Sequence, residues 1–392
     1  MRAGVRSFGS RYAVGLVAAL LVLPASCSTT LVAWRLVGGG ATSAVLYGTI
    51  IGVGIWVTAG LCLRRHASPR HANAGVYREL VDRHAKLEGV ARTVARKDDR
   101  EAWATLQRSL ESARVSLGSE DADDGFLWAS GAGYITVFKA IHCAEEALVE
   151  LVPEEDAVRQ ALTERAALDG SKIADARGRV RRLERAIQVL GGGDYLVDAP
   201  EPPASTDKEV ARAIVREAQA TVDEFRDSRR EGLVRARNRL FATVVFTGMV
   251  AYAGLALALL AGAQKTQIVA GATFYLIGAT VGLFRQLRQA AAANAATEED
   301  FGLGMVRLVH TPLVSGLAGV AGVVLTAYVT DLNDAGQVPS LAEIFDVTAS
   351  PLGLISAALF GFTPSLVEST LQKRADEAKQ ELKSSAPGEE SK

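Results

Sequence analysis

One grouping in the chain has residue types and spacing suited to chemistry: His142, Glu145 and Glu146, an HxxEE run set inside an apolar stripe. Residues three and four apart share a helix face, so the imidazole and a carboxylate from this run can converge. That donor pair suits a metal ion or a charged hydrogen bond, and a metal site needs further donors from elsewhere in the chain. Cys143 points elsewhere on the helical wheel. From the sequence alone the expectation is a helix-surface salt bridge or a core-edge histidine, with no metal and no cofactor. His142, Glu145 and Glu146 are the metal candidates.

Other polar clusters have simpler readings. Glu120, Asp121, Asp123 and Asp124 lack the glycine offset and final glutamate of an EF-hand, so they read as an acidic loop capping the next helix. Gly191-Gly192-Gly193 lacks the Lys and Ser/Thr of a phosphate loop. Cys27, Cys62 and Cys143 lie far apart with no CxxC pair, which predicts free thiols. No nucleophile–base arrangement appears, and the expectation is a protein that is not an enzyme. A formal net charge of -1 gives no basic footprint for nucleic acid.

The elements that carry the HxxEE run are helical. Between residues 65 and 239 apolar residues recur at three-to-four spacing: Val76, Leu80, His84, Leu87, Ala91, Val94; Trp103, Leu106, Leu110, Ala113, Leu117; Tyr134, Val137, Ile141, Ala144, Leu148, Leu151; and Ile173, Ala176, Val180, Leu183, Ile187, Leu190. These predict a bundle of about five or six helices. Gly191 to Ser205 reads as a loop. A long helix then follows over Thr206 to Ala263. Its predicted inner stripe is Val210, Ile214, Ala218, Val222, Phe225, Leu233, Ala236 and Leu240, missing a slot at Arg229. Its second half carries no charge over more than 20 residues, enough to cross roughly 30 Å of hydrocarbon.

Six apolar segments are predicted to span a membrane: roughly Tyr12 to Trp34, Ala44 to Leu63, Leu240 to Ala263, Gln267 to Leu283, Leu308 to Val329 and Pro351 to Val367. Arg and Lys gather on alternate flanks, while Thr330 to Ser350 holds Asp331, Asp334, Glu343 and Asp346 and no base. The positive-inside rule then places both termini and the 65–239 region in the cytoplasm. A second reading of the N-terminus is a lipoprotein signal cleaved at Cys27, which would leave five spans. The spans hold almost no ionisable groups, which counts against an ion-coupled carrier. His310 and Glu368 are expected at the interface. Arg229, Arg230, Arg235, Arg237 and Arg239 are expected to meet anionic lipid. Gly48, Gly52, Gly278, Gly282, Ser315, Gly316, Gly319 and Gly322 form small faces for close helix packing, within one subunit or between subunits.

Trp128-Ala-Ser-Gly131 followed by Ile141-His142-Cys-Ala-Glu145-Glu146, Arg235-Ala-Arg-Asn238-Arg-Leu240, and Phe360-Gly361-Phe362-Thr-Pro-Ser365 resemble a loose set of uncharacterised bacterial multi-pass membrane proteins, often met in high-GC Gram-positive bacteria. The resemblance covers the region from about residue 125 to 370. It differs at Thr363-Pro364, where similar proteins often have Ser-Glu. It implies a topology and no activity.

The expected fold class is therefore all-α: an integral membrane protein with about six transmembrane helices and an inserted cytoplasmic helical bundle. The expected domains are an N-terminal transmembrane hairpin (1–64), the bundle (65–239), a four-helix transmembrane region (240–370) and a cytoplasmic tail (371–392), disordered at its end. The expected function is non-enzymatic, with the bundle mediating self-association or partner binding and coupled to the spans through the long helix. The alternative is a multimeric channel or transporter. Expected partners are membrane lipids, a second copy of the chain, or another protein.

Overall fold

The computed structural model describes residues 22–64, 73–94, 100–118, 128, 130–169, 173–191, 207–292, 301, 303–334, 340–345 and 352–364. Among them there is no strand. The helices in chain order are α1 (Val22–Val37), α2 (Ala41–Arg64), α3 (Ala74–Thr93), α4 (Arg100–Gly118), α5 (Ala132–Leu151), α6 (Glu154–Asp169), α7 (Ala176–Gly191), α8 (Lys208–Leu260), α9 (Lys265–Ala292), α10 (Leu303–Asp334), α11 (Leu341–Ile344) and α12 (Leu352–Phe362). The acidic run 120–124, the loop beyond Gly191, Glu368 and the 371–392 tail lie outside the described residues. The described residues fall into two compact units, one drawn from 62–236 and the other from 22–61 and 237–364. Helix α8 contributes to both.

In the first unit, α5 buries the whole stripe its spacing predicts; α3 buries its stripe up to Ala91 with Val94 half-buried, and α7 buries Leu183, Ile187 and Leu190 while Ile173, Ala176 and Val180 are half-buried. Helix α3 begins where the Asn73 side chain accepts a hydrogen bond from the Val76 N–H, and it buries Val76, Leu80, His84, Leu87 and Ala91. Helix α5 follows Gly131, whose φ of 84° is open to glycine and costly for other residues. Tyr134, Val137, Ile141, Ala144, Leu148 and Leu151 of α5 are all buried. Pro153 precedes α6, whose first turn carries Glu154, Glu155 and Asp156 against the positive end of the helix dipole.

Helix α8 departs from its predicted stripe. Val210 is 52% exposed, and the buried positions are Ala211, Val215, Ala218, Gln219, Val222, Asp223, Asp227 and Val234. The buried face is thus turned toward residues that apolar spacing excludes. Three polar side chains occupy it because each has partners in the core, as the next section describes. Arg229, the missed slot, lies on the exposed side with its guanidinium 5.5 Å from the Phe225 ring centre.

The second unit contains the membrane-length helices. Among the described residues, four helices are long and apolar enough to cross a membrane: Ala41–Leu61, the apolar part of Lys208–Leu260, Lys265–Gln289 and Val306–Val329. Their outer faces are apolar; Phe246 is 70%, Leu257 66% and Leu276 62% exposed. Of the other two predicted spans, the described parts are the 16 residues of α1 and the 11 of α12. Eleven residues reach only about half the hydrocarbon thickness.

Close backbone approach holds this unit together. A Cβ at Gly48 would lie 2.6 Å from Leu31 Cα, and one at Gly52 would lie 2.6 Å from Cys27 Cα, so α1 and α2 meet backbone to backbone. Two hydroxyls fasten the same contact: Thr30 Oγ1 donates to the Gly48 carbonyl at 2.6 Å, and Ser26 Oγ to the Gly52 carbonyl at 3.0 Å. A Cβ at Gly278 would lie 2.6 Å from the Ser315 carbonyl oxygen and 3.2 and 3.3 Å from the Cα atoms of Gly319 and Gly316. Ser315 also crowds Gly282, Gly319 meets the Ala357 carbonyl, and the Phe360 ring lies over Gly322. These small residues are engaged by helices of the same chain.

Candidate functional site

The HxxEE run lies on the inner face of α5, packed toward α8. The two helices are tied at both ends. Near the C-terminus of α5, Arg212 Nη1 donates to the carbonyls of Val149 at 2.7 Å and Val152 at 2.9 Å, oxygens that the helix end leaves without intrahelical partners. Nearer its N-terminus, Lys139 Nζ donates to Glu231 Oε1 at 2.6 Å. His142 sits between these ties and is 3% exposed.

Each imidazole nitrogen of His142 faces a carboxylate of α8. Nδ1 lies 2.9 Å from Asp227 Oδ2, a hydrogen bond. Nε2 lies 3.6 Å from Asp223 Oδ1, too long for one. Nε2 is buried and has no hydrogen-bond partner among the described residues. Asp223 and Asp227 are themselves 3% and 6% exposed. Their spacing of four puts both on one face of α8, one helical turn apart.

Guanidinium groups surround the cluster. Arg83 of α3 holds Glu145 through two bonds, Nε to Oε1 at 2.7 Å and Nη2 to Oε2 at 2.6 Å. Arg226 approaches Asp223 at 3.4 Å, and Arg230 donates to Asp227 at 3.2 Å while lying 3.8 Å above the Phe138 ring. Glu146 and Glu164 complete the group electrostatically. Glu164, from α6, is 7% exposed, and its Oε2 has no hydrogen-bond partner among the described residues. Gln219 beside it on α8 accepts from Gln160 Nε2 at 2.8 Å.

The carboxylates respond to this setting in different directions. Burial pushes Glu164 up to about 7, and the nearby negative charges of Asp223 and Glu145 add to this. Burial also raises Asp223 and Glu146, against the opposing effect of His142 and neighbouring arginines. Burial alone would raise Asp227 too, but the hydrogen bond from His142 and the charge of Arg230 hold it below the usual carboxylate range. Asp227 is therefore held as an anion, and it accepts the Nδ1–H of His142. That fixes the ring orientation and directs Nε2 toward Asp223.

His142 and Glu145 are accordingly brought together with Asp223, and one ligand atom from each lies within 4.8 Å of the others. Cys143 is exposed on the other side of α5. Spacing within α5 identified two of these three residues. Asp223, Asp227, Arg83 and Glu164 were outside the sequence reading. The available signal was the Asp-x-x-x-Asp spacing on α8, one position round from the apolar stripe.

The arginines expected at the lipid surface have diverse surroundings. Arg230 is turned inward onto Asp227 and Phe138. Arg235 pairs with Glu231 at 2.9 Å, and Arg237 donates to the Phe301 carbonyl at 3.0 Å. Arg229 and Arg239 are exposed. His310, near the N-terminal end of α10, is half-buried. Comparison of the chain with protein-family models, with curated proteins and with solved structures gave no match.

Proposed function

We propose that this chain is a non-enzymatic bacterial inner-membrane protein that crosses the bilayer about six times with both termini in the cytoplasm. Its helical bundle mediates self-association or partner binding, and α8 couples the bundle to the spans. The observation that carries this reading is α8 itself, one helix of 53 residues. Its first half supplies Asp223 and Asp227 to the bundle core, and its last 20 residues carry no charge. A rearrangement around His142 would act directly on the helix that enters the membrane. The base-free segment 330–350 on one side and the arginines flanking the apolar segments on the other support the orientation. The glycine faces pack against helices of the same chain, which favours this reading over a channel built from glycine contacts between subunits.

Crosslinking in native membranes followed by mass analysis tests the self-association branch. The expected result is a species of at least twice the 41.4 kDa chain mass, or the chain joined to one other protein. A strictly monomeric product under several crosslinker chemistries would contradict it.

A further inference from the structure

His142 Nε2 is buried and has no hydrogen-bond partner among the described residues. With Nδ1–H committed to Asp227, a neutral imidazole turns its Nε2 lone pair toward Asp223 Oδ1 at 3.6 Å. Two electron-rich atoms facing each other inside a core need a cation between them, either a proton or a metal ion. The wider charge balance points the same way. Six carboxylates, Glu145, Glu146, Glu150, Glu164, Asp223 and Asp227, interact with four guanidinium groups, Arg83, Arg216, Arg226 and Arg230. When all are ionised, two negative charges are left over, which one divalent cation would neutralise.

We propose that His142 Nε2, Asp223 and Glu145 hold one divalent transition-metal ion in the core of the bundle, with Asp227 as the positioning residue behind His142. Ligands about 2.0–2.2 Å from a tetrahedral ion lie about 3.3–3.6 Å apart. The 3.6 Å separation of His142 Nε2 and Asp223 Oδ1 fits that span, and the separations within 4.8 Å close to it by side-chain shifts of at most about 1.5 Å. Glu145 keeps acceptor capacity while bound to Arg83, because a carboxylate offers about four lone-pair sites. The donor set is one imidazole and two carboxylates with no thiolate, which selects ions such as zinc or manganese over copper(I), and the imidazole disfavours magnesium. Asp227 performs the usual service of a carboxylate behind a metal-bound histidine: it fixes the tautomer and raises the basicity of Nε2. Three protein donors leave a fourth position for water or an exogenous ligand. Occupancy would join α5 and α8 directly and α3 through Arg83. This site is independent of whether the bundle self-associates.

The test uses the full chain in detergent, stripped with a chelator and dialysed, then titrated calorimetrically with Zn2+, Mn2+ and Mg2+ separately. The expected result is one equivalent of Zn2+ or Mn2+, with Mg2+ at least about tenfold weaker. His142→Gln and Asp223→Asn should each weaken binding by about tenfold or more, and Asp227→Asn by about 10–100-fold. Glu217→Gln, at a 55% exposed side chain elsewhere on α8, should leave it unchanged. Circular dichroism checks that each variant folds. Where one does not, the wild-type Mn2+ complex still decides, since nitrogen coupling in its electron paramagnetic resonance spectrum is required by His142 ligation. Absence of stoichiometric binding by the folded wild type would overturn the site, as would a Mn2+ complex without nitrogen coupling or affinities that His142→Gln and Asp223→Asn leave intact.

Discussion

Arg83→Met is expected to destabilise the bundle by about 3–5 kcal/mol, because it removes one partner of a largely buried ion pair and leaves the other without compensation. The Arg83 and Glu145 side chains are 26% and 16% exposed, so bulk water cannot replace the two lost hydrogen bonds at full strength. Burial opposes the charge on Arg83, but the bonds and charge of Glu145 outweigh it and hold the guanidinium protonated. Met retains much of the apolar stem, so the loss is electrostatic more than steric. Without Arg83, Glu145 is left near Asp223 and Glu164, both negative neighbours. Arg83→Met with Glu145→Met should recover a large part of the loss, since replacing both partners of a buried pair with apolar groups is close to neutral. Thermal or denaturant unfolding of the purified protein reads both variants. A single variant as stable as wild type would show that Arg83 and Glu145 contribute nothing in solution.

The second large effect is a pH dependence set by Glu164. Its carboxyl titrates near 7 in the folded chain against an ordinary value of 4.5. Between those values the folded state binds more protons than the unfolded state, so stability falls as pH rises through this window. The contribution is fully present below about pH 4.5 and is lost once pH passes about 7, an effect of up to ~3 kcal/mol. Glu164→Gln mimics the protonated acid, so this variant should be more stable than wild type at pH 8 and show a flatter profile between pH 5 and 8. The groups that set the shift are Asp223 and Glu145, which raise it, and Arg226 and Arg83, which lower it. Unfolding profiles of both proteins, recorded with a chelator present, measure it. Parallel profiles would mean that Glu164 is already solvated in the folded state.

Much of the helical architecture was legible because apolar spacing reports directly on burial. The α5 stripe from Tyr134 to Leu151 is buried residue for residue, and the α3 stripe is buried from Val76 to Ala91, with Val94 at the helix end half-buried. Spacing misled on α8 for a specific reason. Gln219, Asp223 and Asp227 are inside because partners from three other helices neutralise or bond them, and no local pattern on α8 announces those partners. Arg83 is separated from Glu145 by 62 residues, a pairing that only the tertiary structure produces. The same mechanism draws Arg230 from the basic run toward the core. Four membrane-length helices coincide with uncharged runs read from the sequence. Within the last predicted span the described helix is the 11-residue α12, followed by Pro364, whose ring disfavours a helical conformation at the preceding residue.

The proposed topology puts the bundle on the cytoplasmic side of a membrane that α8 enters. Cys143 offers a direct probe, being exposed on the surface of α5. With Cys27 and Cys62 replaced by serine, intact cells are treated with a membrane-impermeant maleimide, at mildly alkaline pH because burial and the charges of Glu146 and Asp227 raise the Cys143 thiol. With the bundle inside, Cys143 stays unlabelled until the membrane is permeabilised and is fully labelled afterwards. Labelling of Cys143 in intact cells would place the bundle outside and overturn the proposed topology.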